Sequence, residues 1–114
     1  MDSVVKKPWG EFQILNYGKN YVLKKIVVNP GGILSLQSHK HRSEHWIVIE
    51  GNAEVTIDDK VSHLKENDSI FVPKGSIHRM ANKNNVNLVI IEMWYGSILD
   101  ENDIKRYEDI YGRK

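Results

Sequence analysis

The constraint that most limits the fold is the spacing of turn signals along the chain. "YVLKKIVV" (21–28) ends at "NPGG" (29–32), "ILSLQSH" (33–39) runs to "KHRS" (40–43), and "EHWIVIEG" (44–51) follows. Then come "AEVTID" (53–58), a turn at Asp59-Lys60, "VSHL" (61–64), "SIFVP" (69–73), "IHRMAN" (77–82) and "NLVIIEMWY" (87–95). Seven or eight short β-branched runs punctuated by Gly, Pro and Asn predict an all-β antiparallel sandwich or small barrel. Residues 11–95 carry no helical periodicity, which argues against an α+β sheet and sets the expected barrel core. Only the tail reads as helix. In "DENDIKRYEDIYGRK" (100–114), Ile104, Tyr107 and Tyr111 recur as one apolar face, Asp100, Glu101 and Asp103 lie at the start, and Gly112 suits a stop. A helix over about 100–111, packed on the barrel exterior without a chemical role, is expected.

With 114 residues the chain forms one domain, 1–114, around a single core. The 16 Lys+Arg against 15 Asp+Glu leave a formal charge of +1, so no global basic bias points to nucleic acid or membrane as partner. Cysteine is absent, which excludes disulfides and thiolate metal sites. The opening "MDSVVKKPWG" has no apolar signal core, and no apolar run approaches the length of a membrane span. A cytoplasmic protein is expected.

Three of the five histidines, with a glutamine and a glutamate, crowd into "SLQSHKHRSEHW" (35–46). Read as a hairpin turning at Lys40–Ser43, this segment pairs His39 with Glu44 and Gln37 with Trp46 on one face. His41 then falls in the turn, and His45 points to the other face. His78, just after the Pro73-Lys74-Gly75 turn, can reach the same site from a neighbouring hairpin. Gln37, His39, Glu44 and His78 offer neutral nitrogen and oxygen donors with one carboxylate. That set suits one divalent ion, Zn²⁺ first, with Fe²⁺, Co²⁺ or Mn²⁺ as alternatives. The competing reading is a hydrogen-bonded His–Glu pair without an ion. His63 is remote from both segments and reads as a surface residue.

These segments resemble the cupin motifs. Glu44 to Gly51 matches Glu-x₆-Gly, and Pro73, Gly75, His78 and Asn82 match Pro-x-Gly-x₂-His-x₃-Asn. Asn67 stands where that motif opens with Gly, a position at which Asn is tolerated. The resemblance implies a jelly-roll barrel and places the two upstream ligands at Gln37 and His39. Over "KPWGEF" (7–12), 34–56, 64–82 and 100–113 the chain is similar to the cupin domain of type II phosphomannose (mannose-6-phosphate) isomerases. It departs from that pattern at Lys7, Ser38, Lys40, Trp94 and Ile98. The resemblance implies a metal-dependent interconversion of mannose 6-phosphate and fructose 6-phosphate through an enediol, in sugar-nucleotide or surface-polysaccharide biosynthesis. Members often carry a nucleotidyltransferase domain ahead of the cupin. No Gly-rich phosphate loop precedes the cupin here, so guanylyltransferase activity is not expected of this polypeptide.

Such an isomerase needs a base near the C2 proton and cations to hold a phosphate. Glu44, Glu92 and His45 are the candidate bases. Arg42, Arg79 and Lys24 are the candidate phosphate anchors, with Lys25 behind them. Arg42 and Arg79 flank ligand positions, and each of these cations competes with a reading as a solvated barrel charge. Trp9, Trp46 and Trp94 read as packing residues before sugar platforms. The alternative function is a non-catalytic cupin that binds a sugar or sugar phosphate, or a metal-dependent oxygenase, which a glutamine ligand disfavours. Exposed sheet edges predict a homodimer through the N-terminal strands.

Overall fold

A computed structural model describes residues 3–113. They form β1 (Val5–Lys7), β2 (Gly10–Tyr17), β3 (Tyr21–Val28), β4 (Leu36–Ser38), β5 (Ser43–Glu50), β6 (Ala53–Ile57), β7 (Lys60–Leu64), β8 (Ser69–Val72), β9 (His78–Ala81), β10 (Leu88–Tyr95) and β11 (Lys105–Glu108). Two antiparallel sheets face each other, in the orders β1-β2-β3-β10-β5-β8 and β11-β4-β9-β6-β7. Valine and isoleucine fill the inward positions of the closed half. Val28, Val48, Val55, Leu88 and Ile90 are fully buried and pack with Trp9, Trp46 and Met80 into one core.

The all-β reading therefore holds, and the strands expected from residue 21 to 95 are present. β2 escaped notice because "EFQILNY" alternates weakly between polar and apolar residues. Asn67 adopts a left-handed φ of 74°, the conformation that the motif's usual glycine supplies. Buried Asn82 donates from Nδ2 to the carbonyls of Val28, Asn29 and Val86, tying the ends of β3 and β10 together.

Two expectations fail. The first is the hairpin over 35–46: β4 and β5 lie in different sheets, so the segment crosses the barrel rather than folding back on itself. β4 pairs instead with β9, which sets Gln37 opposite His78, and with β11, which sets Arg106 opposite Gln37. His39 still reaches Glu44, but across the interior.

The second is the C-terminal helix. No helix occurs among the described residues, and residues 105–108 are β11. The tail's aspartates explain why. Asp100 accepts the backbone N–H of Asn102, Asp103 those of Lys40 and His41, and Asp109 those of Tyr111 and Arg113. A carboxylate that captures backbone N–H groups competes with the helical ladder, and β4 offers the tail a second set of partners. The spacing of Ile104, Tyr107 and Tyr111 was a coincidence of strand and turn. Tyr111 packs against the core, with its hydroxyl accepting from Ile33 N at 3.3 Å.

Asp109 anchors this tail. The Arg113 guanidinium, bonded to it at 2.8 Å, holds its carboxyl below the usual range, helped by the N–H groups of Arg113 and Tyr111. A depressed pKa stabilises the fold above the unfolded value of 3.8, and that stabilisation is lost as pH falls through the folded value. At neutral pH, Asp109→Asn should lower stability by about 1–2 kcal/mol, discounted because Arg113 is partly exposed. The gap between variant and parent should close on acidification below pH about 4. Thermal unfolding at several pH values checks both, and a gap that stays constant to strongly acid pH excludes this role.

Candidate metal centre

The two sheets diverge at one end around a cavity of about 270 Å³. Its wall inverts the usual pattern of a sheet, with charge inside. On the six-stranded sheet, Glu92 stands in register between Trp46 on β5 and Lys24 on β3, and Trp94 lies beside Glu44. Strand parity turns all five side chains inward, and each is buried. The facing sheet contributes the row Arg106–Gln37–His78.

Metal-capable atoms converge here. Donor atoms of His39, Glu44 and His78 lie within 4.8 Å of one another, and the two rings are 5.0 Å apart. His39 Nδ1 lies 2.7 Å from Asp103 O, and His78 Nδ1 lies 3.2 Å from Ser76 O. A hydrogen on each Nδ1 satisfies these carbonyls and leaves both Nε2 lone pairs facing the site. Burial depresses both histidines, His39 to about 4, so both are neutral at pH 7 and available as ligands.

Glu44 is the opposite case. Burial would raise its pKa, but the charge and hydrogen bond of the Arg42 guanidinium outweigh burial and keep it ionised. Its Oε2 accepts from Arg42 Nε at 2.8 Å and its Oε1 from Trp46 Nε1 at 2.9 Å. The Gln37 amide donates to Ser35 O and Ser35 Oγ, which leaves its carbonyl oxygen as a fourth candidate donor.

Two neutral imidazoles, one carboxylate and an amide oxygen fit a borderline divalent ion such as Zn²⁺. Arg42 competes for part of this site. Its Nη2 lies 3.2 Å from His39 Nε2, and one lone pair cannot serve both a guanidinium and an ion. An ion held by His39 Nε2 would replace the Arg42–His39 contact. Arg42 can retain Glu44, and it keeps its stack on Trp94, where Cζ lies 3.4 Å from the ring centroid.

Glu92 is paired the other way. Burial and the neighbouring Glu44 carboxylate raise it to about 8, against the opposing pull of Lys24. Its Oε1 accepts from Trp94 Nε1 at 2.8 Å, and a side-chain hydrogen bond links it to Glu44. One ionised and one protonated carboxyl thus lie side by side, each held by a tryptophan two residues on. The repeated Glu-x-Trp, Glu44-His45-Trp46 and Glu92-Met93-Trp94, carries this arrangement in the sequence.

The remaining candidates fall apart by position. His45 is exposed on the outer face, with its ring 4.8 Å from Phe71, so it is no base for this cavity. Arg42 is buried against the ligand atoms rather than held at a distance from them. Arg79 has the opposite parity to His78 but still lines the cavity, and its guanidinium bonds Leu34 O and Glu108. Lys24 does face the cavity, 3.7 Å over Trp94 and 2.8 Å from the exposed Glu101. Lys25 points outward and His63 is exposed, while His41 sits on the loop surface. Arg106 and Arg113 also line the cavity. Both went unnoticed because a helix over 100–111 hides the strand parity that turns Arg106 inward.

A jelly roll of two facing sheets with a His/Glu/His cluster at its mouth defines a cupin. A cupin described as RmlC-like from Shewanella frigidimarina superposes with a TM-score of 0.75 at 20% identity, covering 89% of this chain and 87% of that one. A variant of Bacillus subtilis oxalate decarboxylase superposes at 0.82 and 20% identity, over 93% of this chain and 30% of that one. At these identities the likeness shows the fold alone. The family model "Mannose-6-phosphate isomerase C-terminal" matches residues 1–109, and the chain belongs to that family.

Similar proteins include the alginate biosynthesis protein AlgA of Pseudomonas aeruginosa, 50% identical over 96% of this chain and 23% of that protein. The xanthan biosynthesis protein XanB of Xanthomonas campestris is 49% identical over 96% of this chain and 23% of that protein. The mannose-1-phosphate guanylyltransferase ManC of Salmonella typhimurium is 45% identical over 99% and 24%. The chain spans about a quarter of the length of these relatives.

The geometry fixes an expected pattern of metal loss. Purified protein should hold close to one divalent ion per chain. His39→Ala and His78→Ala should abolish binding, His41→Ala should not, and Gln37→Ala should weaken it by roughly 10–100-fold, as for a peripheral ligand. Elemental analysis and titration calorimetry read the outcome. Loss in the His41 variant with full retention in the His78 variant would place the ion elsewhere.

Proposed function

We propose that this domain is a metal-dependent aldose–ketose isomerase that interconverts mannose 6-phosphate and fructose 6-phosphate, in the supply of sugar nucleotides for polysaccharide synthesis. The observation that carries the reading is the carboxyl pair beside the metal cluster. Glu44 is held ionised among the ligands, and Glu92 stands next to it with a pKa near 8. Family membership and the polysaccharide-pathway names of the relatives support the choice of sugar.

His39, Glu44, His78 and Gln37 would hold the ion, which supplies polarisation of the sugar carbonyl. The rest falls to the chain. A group that shuttles a proton between C1 and C2 must accept it in one half-reaction and return it in the next, so a pKa near the working pH serves both. Glu92 meets that requirement, and Trp94 Nε1 fixes its orientation. Lys24 from one wall and Arg106 from the other present positive charge to the cavity for the phosphate, and Trp46 and Trp94 wall off solvent. Arg42, stacked on Trp94 and bonded to Glu44, serves the reacting end. Among the described residues no helix is long and apolar enough to cross a membrane, and we place this activity in the cytoplasm.

A coupled assay with mannose 6-phosphate tests the reading. Turnover should vanish with a chelator and return with a divalent ion. Glu92→Gln should lower kcat by about 10²–10⁴-fold while keeping metal and fold, and His45→Ala should leave kcat unchanged. Metal-loaded, folded protein that turns over no hexose 6-phosphate would sink the isomerase reading in favour of a binding module.

A further inference from the structure

Lys24 is a buried ammonium with an exposed partner. Its side chain is 4% exposed, and Nζ lies 4.1 Å from the centroid of the Phe12 ring and 3.7 Å from that of Trp94. Two ring faces attract a cation but carry no counter-charge. Glu92, in register with Lys24, is hydrogen-bonded to Trp94 and to Glu44. The Lys24 ammonium donates to Glu101 Oε2 at 2.8 Å, and the Glu101 side chain is 58% exposed. Glu101 lies on the connection from β10 to β11 and lines the cavity with Asn102 and Ile104. Other contacts fix the path of that connection. Asp103 accepts from the N–H groups of Lys40 and His41, its carbonyl lies 2.7 Å from His39 Nδ1, and Asp100 Oδ1 accepts from Asn102 N. With the backbone held on both sides of it, the Glu101 side chain can swing into water alone. The cost of that swing falls on Lys24, a buried charge left without its partner unless another anion takes the place.

We propose that the Glu101 carboxylate occupies the position of the substrate's phosphate and is displaced from Lys24 when a phosphorylated sugar enters. This rests on the reading of Lys24 as a phosphate anchor. A phosphate monoester brings about two negative charges at pH 7 and three acceptor oxygens. A carboxylate brings one charge and two oxygens. Both anions cannot sit on one ammonium, because at that separation they repel each other. The phosphate makes the stronger contact, and Arg106 on the facing wall adds to its hold, while Glu101 recovers its water on leaving. A sugar without a phosphate offers Lys24 only hydroxyl groups, too weak to release Glu101. Glu101 is therefore a specificity-determining residue. It keeps the anchor closed to neutral sugars and yields to a dianion, so discrimination comes from a contest for one cation rather than from a steric clash.

Titration calorimetry on the metal-loaded chain tests the displacement. The ligands are mannitol 6-phosphate, which has no carbonyl to isomerise, and mannitol as its neutral counterpart. Glu101→Gln, at an exposed side chain, should tighten mannitol 6-phosphate by about 3–10-fold and leave mannitol unchanged. Lys24→Met should weaken mannitol 6-phosphate, and adding Glu101→Gln to it should bring no gain, because the contested ammonium is gone. Circular dichroism and bound divalent ion confirm that each variant is folded; if Lys24→Met is not, Lys24→Gln replaces it. Binding of mannitol 6-phosphate that is absent in the parent, or unchanged or weakened in Glu101→Gln, overturns the proposal and makes the ion pair a tether for the tail. An equal gain with and without Lys24 also overturns it, since the carboxylate would then act only through its distant field. The isomerase reading fails separately: a chain that shows the expected binding pattern but turns over no hexose 6-phosphate keeps the displacement and loses the reaction.

Discussion

The ion pair between Arg42 and Glu44 is the interaction on which the cavity depends. A carboxylate at 2% exposure is costly unless charge and hydrogen bonds compensate it, and Arg42 supplies both at 2.8 Å. The guanidinium is compensated in turn by Trp94 and by Asp100 O. Each partner of that pair then shapes a neighbour. Burial disfavours a charge on Glu92, and ionised Glu44 beside it adds to that, so Glu92 stays protonated. The negative field of Glu44 also favours a cation at the two histidines. Both carboxyls are buried and both accept from a tryptophan, and the contrast between them follows from the direct Arg42 contact that Glu44 has and Glu92 lacks.

Building charge into a barrel has a structural cost that the other half of the molecule meets. The closed end is filled by aliphatic side chains and by Asn82, whose three carbonyl contacts close the end of the sheet. That end can hold the sheets at a fixed spacing while the open end carries the buried polar groups of the cavity. Fold and site therefore divide the same strands by depth: the early residues of β5 and the late residues of β10 face the cavity, and their other ends face the core.

Much of this was legible in the sequence, for identifiable reasons. Strands from residue 21 onward show because their β-branched runs end at glycine, proline and asparagine turns. His39, Glu44 and His78 do converge, in keeping with the cupin resemblance, although they come from three separate parts of the chain and the hairpin expected to pair the first two is absent. Partner strands do not show. The segment 35–46 looks like a hairpin because its ends are close in sequence, yet the chain crosses between sheets, and nothing local distinguishes a crossing from a turn. The tail misled for a related reason. Its apolar spacing suits a helix, and only the aspartates that capture backbone N–H groups, together with β4 as a distant partner, make it a strand. Arg106 was lost with that error, and the contact of Arg42 with Glu44 was not foreseen.

Residues 100–108 also set the order in which the site comes into being. His39 leans on Asp103 across 64 residues, and Lys24 on Glu101 across 77. A chain leaving the ribosome therefore completes its ligand strands well before the segment that orients His39 has been made. Contacts of such sequence separation also form late in folding, because the loop they close is long. His78 takes its orientation from Ser76, two residues away, whereas His39 gains the carbonyl that orients its ring only when the segment with Asp103 docks. An ion that needs the Nε2 atoms of both His39 and His78 would therefore meet them aligned only in the folded domain.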